Sequence, residues 1–168
     1  MIKRRDPPYA GTVVAPDRTL AQVQELLFEY GCEAVQVTRD QLGRVELRFA
    51  VEVEVQGVHR KIAVRIEPPL LTVTRGKGRG KTTYSDPARS YRLLYWYLKS
   101  KLEAISYGLV SAEKEFFSQV LISLASGETK TIGEVTEQAF AQGDSLFLPG
   151  IEMGQNRPKL AGPTEQNP

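Results

Sequence analysis

Two different spacings of apolar residues divide the chain into helical and extended parts. Large apolar side chains recur at three- and four-residue intervals between residues 20 and 30, which predicts an amphipathic helix that starts after an N-cap at Thr19 and ends at Gly31. Gln22, three residues after Thr19, fits a capping box. The preceding residues, 1–18, contain several prolines and no periodicity, so we expect an extended arm.

Alternation with a period of two follows this helix and predicts antiparallel strands. Residues 45–55 place apolar side chains on one face and mostly charged ones on the other, and 62–66 repeat the pattern after a tight Gln56-Gly57 turn. A shorter strand is expected over 34–38, and residues 70–74 are either a fourth strand or an extended link. Phe49 falls on the buried face, so the exposed face lacks the aromatic side chains of an RNA-recognition sheet.

Helical spacing returns after residue 86. A long helix is predicted from about Pro87 to Tyr107, with Ser85 or Asp86 as its cap. Its apolar face is formed by Tyr91, Leu94, Tyr95, Leu98, Leu102 and Ile105. A further helix is expected after Ser111, with its apolar residues over 116–124, and a last short helix is expected from Thr131 to about Ala141.

The order of these elements predicts an α+β fold, in which an antiparallel sheet of three or four strands packs against the N-terminal helix and two or three C-terminal helices. We expect one domain over residues 19–150, because no repeat or linker interrupts the pattern. Residues 151–168 contain three prolines and two glycines with few large apolar residues, which is typical of a disordered tail.

The composition excludes more function classes than it selects. One cysteine, Cys32, cannot form an internal disulfide, and no apolar run is long enough to cross a membrane, so a cytoplasmic protein without a membrane partner is expected. A single histidine, His59, beside a single cysteine leaves little for a metal site or for a histidine-assisted nucleophile. We therefore expect no cofactor, no metal and no enzymatic reaction.

The net charge of +2 hides an uneven distribution of charge. Residues 70–102 carry eight basic side chains against Asp86 alone, a net charge of +7, whereas residues 103–152 carry a net charge of −6. This asymmetry indicates an anionic partner or a homo-oligomer formed through the basic and acidic faces.

Two features within the basic segment are candidates for contacting nucleic acid. In the glycine-rich loop 75–83, which is expected to be mobile, the candidate phosphate contacts are Arg75, Lys77, Arg79 and Lys81. On the long helix the candidates are the stripe Arg89, Arg92, Trp96 and Lys99, with Lys101 on the other side of the apolar face. Interleaved cations and aromatic rings suit single strands, because bases stack on rings while phosphates contact Arg and Lys.

Other interpretations of these residues remain open. The loop can be a solvated surface segment, and the stripe can be structural, with Trp96 in the core and the arginines paired to the acidic C-terminal part. A nucleotide-binding P-loop does not fit, because Arg75 stands where that motif needs a glycine. Glu52 and Glu54 are interpreted as a solvated hairpin face and not as a nuclease site.

Two stretches of the chain resemble a family of small, largely uncharacterised proteins of phages and mobile elements. They are TLAQVQELLFEYG at Thr19–Gly31, and YLKSKLEAISYGLVSAEKEFF within Arg89–Phe117, which is followed by TIGE at Thr131–Glu134. The resemblance covers residues 19–150 and implies a phage or mobile-element context, in which nucleic-acid handling is common. It brings no catalytic residues, and the loop Arg75–Lys81 departs from its pattern.

The sequence thus yields two functional hypotheses. The first is a non-enzymatic nucleic-acid-binding protein that favours single-stranded DNA and uses the basic loop and the Arg/Trp/Lys stripe. The second is a protein-interaction module, either an assembly subunit of the phage type or an inhibitor of a host protein, which uses the same basic face.

Overall fold

The structure is a computed structural model that describes residues 9, 12–75 and 81–142. The predicted C-terminal tail and most of the predicted N-terminal arm lie outside the described residues. The helices and strands, in chain order, are α1 (Pro16–Glu29), β1 (Glu33–Arg39), β2 (Val45–Val55), β3 (Val58–Ile66), β4 (Thr72–Arg75), β5 (Thr82–Ser85), α2 (Pro87–Ser106), α3 (Ala112–Glu115), β6 (Leu121–Ser123), β7 (Thr129–Thr131) and α4 (Ile132–Ala141).

The main sheet is antiparallel with the strand order β1-β2-β3, which confirms the predicted α+β fold. β3 pairs along its whole length with Leu47–Val55 of β2, so that Phe49 lies opposite Val64 and Glu52 lies opposite Lys61. Gln56 and Gly57 join the two strands with φ angles of 52° and 75°, as expected for a two-residue hairpin turn in which both residues are left-handed.

One face of this sheet packs against α1 and α2 and forms the core. The buried cluster contains Val23, Leu26, Leu27, Cys32, Leu47, Phe49, Val64, Ile66, Leu94, Leu98, Leu102 and Phe116. The apolar face predicted for the long helix is therefore confirmed. In the described residues no helix is long and apolar enough to cross a membrane.

The start of α1 differs from the prediction. The helix begins at Pro16, a residue favoured in the first turn because it lacks the N–H that would be unpaired there. Thr19 is not the cap: it is fully buried, and its hydroxyl donates to the Ala15 carbonyl at 3.3 Å. The capping-box prediction for Thr19 and Gln22 is wrong, whereas Gly31, with a φ of 76°, ends the helix as predicted.

The possible fourth strand, residues 70–74, does not join the main sheet but pairs with β5. β4 forms a two-stranded sheet with β5, so residues 82 and 83 of the predicted mobile loop belong to a strand, and residues 76–80 lie outside the described residues. This hairpin is fastened to the start of α2. The Asp86 N–H donates to the Leu71 carbonyl at 2.7 Å, and the Leu71 N–H donates to the Ser90 hydroxyl at 2.8 Å.

The region after α2 is less helical than predicted. The helix expected after Ser111 begins there but is far shorter than predicted: α3 is one turn, a 3₁₀ turn follows over Phe117–Gln119, and β6 then pairs with β7. The cause is a contact distant in sequence, since Val120 bridges Val64 and extends the edge of the main sheet. α4 starts as predicted, with Thr131 and Glu134 forming a capping box.

Candidate nucleic-acid interface

The core face of α2 fixes the direction in which Trp96 points. Each residue of an α-helix advances about 100°, which places Trp96 about 200° around the axis from buried Leu94. The side chain is accordingly 41% exposed. The alternative in which Trp96 packs in the core is wrong.

Trp96 lies in a compact group of cations and rings, which we call the Trp96 cluster and define as Arg92, Tyr95, Trp96 and Lys99. The guanidinium carbon of Arg92 is 5.3 Å from the centroid of the Trp96 ring, and the ammonium of Lys99 is 5.5 Å from it. The Tyr95 ring meets the indole edge-on at 5.4 Å. Both cations are thus within cation–π distance of an exposed indole.

Two contacts of the Trp96 cluster were not indicated by the sequence, one made by Arg92 and one made by Tyr95. Arg92 Nη1 donates to Gln22 Oε1 of α1 at 3.0 Å, a contact between positions 70 residues apart. Tyr95 was assigned to the apolar face, yet it also lies 4.7 Å under the Arg92 guanidinium. Its position 100° from Leu94, at the border of that face, was the available signal for this second contact.

The two cations of the Trp96 cluster have N–H groups that can still donate to a ligand. Arg92 commits one of its five N–H groups to Gln22. Lys99 has a long ion pair with Glu103 at 3.8 Å, and its side chain is 35% exposed. Exposed pairs of this kind contribute less than about 1 kcal/mol, so a phosphate can compete with Glu103 for the ammonium.

Arg89 and Lys101, predicted to bind nucleic acid, are instead held by the protein. Arg89 Nε is 3.0 Å from Asp86 Oδ2, and its side chain is 13% exposed. Lys101 contacts the carboxylate of Glu115 and donates to its carbonyl at 3.0 Å, with 14% of the side chain exposed. The Lys101 ammonium also lies 4.8 Å from the Tyr97 ring, so it joins α3 to α2 and does not extend the Trp96 cluster.

Two of the four predicted contacts in the glycine-rich loop, Arg75 and Lys81, lie at the paired strands β4 and β5. Arg75 is the last residue of β4, and Lys81 precedes β5 and is exposed. Lys77 and Arg79 lie outside the described residues. Because the hairpin is fastened at Asp86, its base and Trp96 are ten residues apart along α2, or about 15 Å along the helix axis.

The acidic C-terminal part is largely engaged away from Trp96. Glu115 pairs with Lys101, Glu134 pairs with Arg65, and Glu128 lies 3.3 Å from Lys130. Glu103 alone among these four contacts the Trp96 cluster, through Lys99. The structural interpretation expects the arginines of the stripe to pair with this acidic part. Arg92 does not do so with any of these four acids and contacts Gln22 instead.

The remaining reactive side chains form no assembled centre in the described part of the chain. Cys32 is buried, and burial raises the pKa of its thiol to about 11, so the thiol stays protonated at neutral pH. His59 is exposed beside the hairpin turn, as expected, 3.1 Å from Glu52. Among the described residues no three His, Cys, Asp or Glu side chains are grouped closely enough to hold a metal ion.

No protein-family model, curated protein or solved structure matches this chain. Any functional assignment therefore depends on the geometry of the Trp96 cluster and the basic hairpin.

Proposed function

We propose that the protein is a non-enzymatic nucleic-acid-binding protein that binds single-stranded DNA through the Trp96 cluster, with the β4–β5 hairpin as a second, electrostatic contact. The observation that carries this proposal is the exposed indole of Trp96 with two cations within 5.5 Å of its centroid. An exposed aromatic ring flanked by cations is the kind of surface on which the bases of a single strand stack.

In the proposed contact the ring binds a base and the cations bind phosphates. An unpaired base stacks on the indole, while its phosphates draw the Arg92 guanidinium and the Lys99 ammonium from the ring towards the backbone. Duplex DNA offers no free base face to the indole except at its ends, so single strands are favoured.

The hairpin adds affinity without adding selectivity. Arg75 and Lys81 lie at the end of the two strands that is away from α2, because Arg75 is opposite Thr82, whereas Thr72 is opposite Ser85 next to the helix cap Asp86. Lys77 and Arg79, outside the described residues, add two positive charges to the same segment. A strand that extends beyond the start of α2 would meet this charge. Contacts of cations with phosphates release counterions and depend strongly on salt.

Titration of a fluorescein-labelled thymidine 20-mer tests the proposal. Trp96→Ala is expected to weaken binding about 5- to 150-fold, the effect of losing one stacked base. Tyr107→Ala is the matched control, because Tyr107 is an aromatic residue 82% exposed at the other end of the helix, and its loss should leave affinity unchanged. Absence of wild-type binding at low salt, or equal affinities for wild type and Trp96→Ala, would contradict the proposal.

A second candidate function is binding of an acidic protein through the same face. Within the described residues, carboxylates contact three of the eight predicted cations, namely Arg89, Lys99 and Lys101, and this favours it. Capture from a nuclease-treated extract separates the two candidates. A protein partner retained after nuclease treatment, together with no affinity for the 20-mer, would favour this second function.

A further inference from the structure

A cavity of about 320 Å³ lies beside the Trp96 cluster, on the neighbouring side of α2. The end of β3 and the two prolines that follow it form one wall, and α2 forms the other. Its lining includes Arg65, Glu67, Leu93, Tyr97 and Gln119. The walls are mostly apolar and include the phenol ring of Tyr97.

One polar atom at this cavity lacks a partner. Gln119 Oε1 is buried and accepts no hydrogen bond, whereas Gln119 Nε2 donates to the Tyr97 hydroxyl at 3.3 Å. A buried carbonyl oxygen without a donor is costly and uncommon in folded proteins. A ligand that places an N–H group beside the Gln119 amide would satisfy this oxygen once the amide turns it towards the cavity, because the oxygen has almost no exposed surface in its present position.

Two residues that line the cavity stand close to Trp96 on α2. Leu93 lines the cavity and stands three residues before Trp96 on α2, a spacing that brings two side chains to about 5–6 Å between their Cβ atoms. Tyr97, the residue after Trp96, forms the next part of the same wall. A strand stacked on Trp96 therefore passes the mouth of the cavity.

The charges around the cavity select a base over a phosphate. Arg65, the cation that lines it, is already paired with Glu134 and lies 3.4 Å from Glu67, which is itself at the cavity. No cation among the lining residues is thus left for a phosphate, while the apolar walls and the side-chain amide suit a flat ring with N–H groups. Amide side chains are the groups that proteins commonly use to recognise base edges.

We propose that this cavity binds an unstacked nucleobase of the same strand whose neighbouring base stacks on Trp96, with the base donating an N–H to Gln119 Oε1. This inference rests on the proposed function. It adds a second base-binding position and assigns the phosphates to the Arg92 and Lys99 side of α2.

The test compares Gln119→Leu with wild type in titrations of the thymidine 20-mer and of an abasic strand of the same length. Gln119→Leu keeps the side-chain size and removes both the unpaired oxygen and the 3.3 Å hydrogen bond from Nε2 to the Tyr97 hydroxyl, so its melting temperature should stay close to that of wild type. Affinity for the 20-mer should fall about 2- to 10-fold, the size of one net hydrogen bond, and affinity for the abasic strand should not change. Gln36→Leu, at an exposed position in β1, is the matched control and should bind like wild type.

A second variant tests the cavity independently, in case the first variant does not fold. Leu93→Trp, at a half-buried position, fills the mouth of the cavity and should weaken binding of the 20-mer but not of the abasic strand. If Trp96→Ala weakens binding while Gln119→Leu and Leu93→Trp do not, the base cavity is overturned and the proposed function stands. If wild type does not bind the 20-mer at all, the proposed function itself fails.

Discussion

Lys99 and Lys101 stand two residues apart on α2 and have opposite surroundings. Lys99 lies on the solvent side, 35% exposed, over the Trp96 ring and loosely paired with Glu103. Lys101 lies between α2 and α3, 14% exposed, against the Glu115 carboxylate and the rings of Tyr97 and Phe116. A basic segment in a sequence therefore contains cations of two kinds, and the helix face decides which of them can meet a ligand.

The largest expected difference between the two lysines is in stability. Lys101→Ala leaves the Glu115 carboxylate, which is 24% exposed, without its partner, and it removes a cation from two aromatic rings. We expect a loss of about 2 kcal/mol in the free energy of unfolding, or about 4–8 °C in melting temperature, measured by thermal denaturation. DNA affinity of the folded variant should stay within about twofold of wild type.

The reciprocal variant, Lys99→Ala, is the control for this prediction. It should change the free energy of unfolding by less than about 0.5 kcal/mol, as is usual at surface positions. It should reduce the slope of log K against log salt for single-stranded DNA by about 0.7, the value for one phosphate contact. Equal effects of the two variants on stability and on the salt slope would refute the division between them.

A smaller effect on stability is expected from Glu134, an acid that is held within the fold. The Thr131 N–H donates to the Glu134 carboxylate at the start of α4 and, with the Arg65 guanidinium nearby, holds the pKa of Glu134 below its usual value of 4.5. A lowered pKa in the folded state means that this contribution to stability is present above the unfolded pKa and is lost as the pH falls through the folded pKa.

Melting temperatures between pH 3 and pH 7 measure this contribution. Wild type should lose stability below about pH 4.5 more steeply than Glu134→Gln, since the variant has no carboxylate to protonate. Glu25→Gln on the solvent side of α1 serves as the control and should follow wild type. Parallel curves for wild type and Glu134→Gln would show that the capping carboxylate does not contribute.

Local patterns were enough to predict most of the fold. The period of two over 45–66 predicted the long hairpin and its left-handed turn, and the helical wheel of α2 predicted its core face. These features depend on residues within one or two turns of each other, which is the range that periodicity describes.

The failures come from contacts between distant parts of the chain. The helix predicted after Ser111 is cut short because Val120 pairs with Val64, and Gln22 reaches Arg92 across two helices. The ion pair of Lys101 with Glu115 likewise depends on how α3 folds back on α2. No spacing within one segment indicates such contacts. The sequence therefore shows how many cations the basic segment contains, but not which of them the protein itself holds.

The fluorescence of Trp96 tests the central claim most directly, because the chain contains a single tryptophan. Addition of an unlabelled thymidine 20-mer at low salt should quench that fluorescence in a saturable manner, and added salt should restore it, since stacking follows strand binding and strand binding depends on salt. If the strand binds, as judged independently by the mobility of the complex, and the Trp96 emission does not change, then the indole does not stack on a base and the proposed interface is wrong.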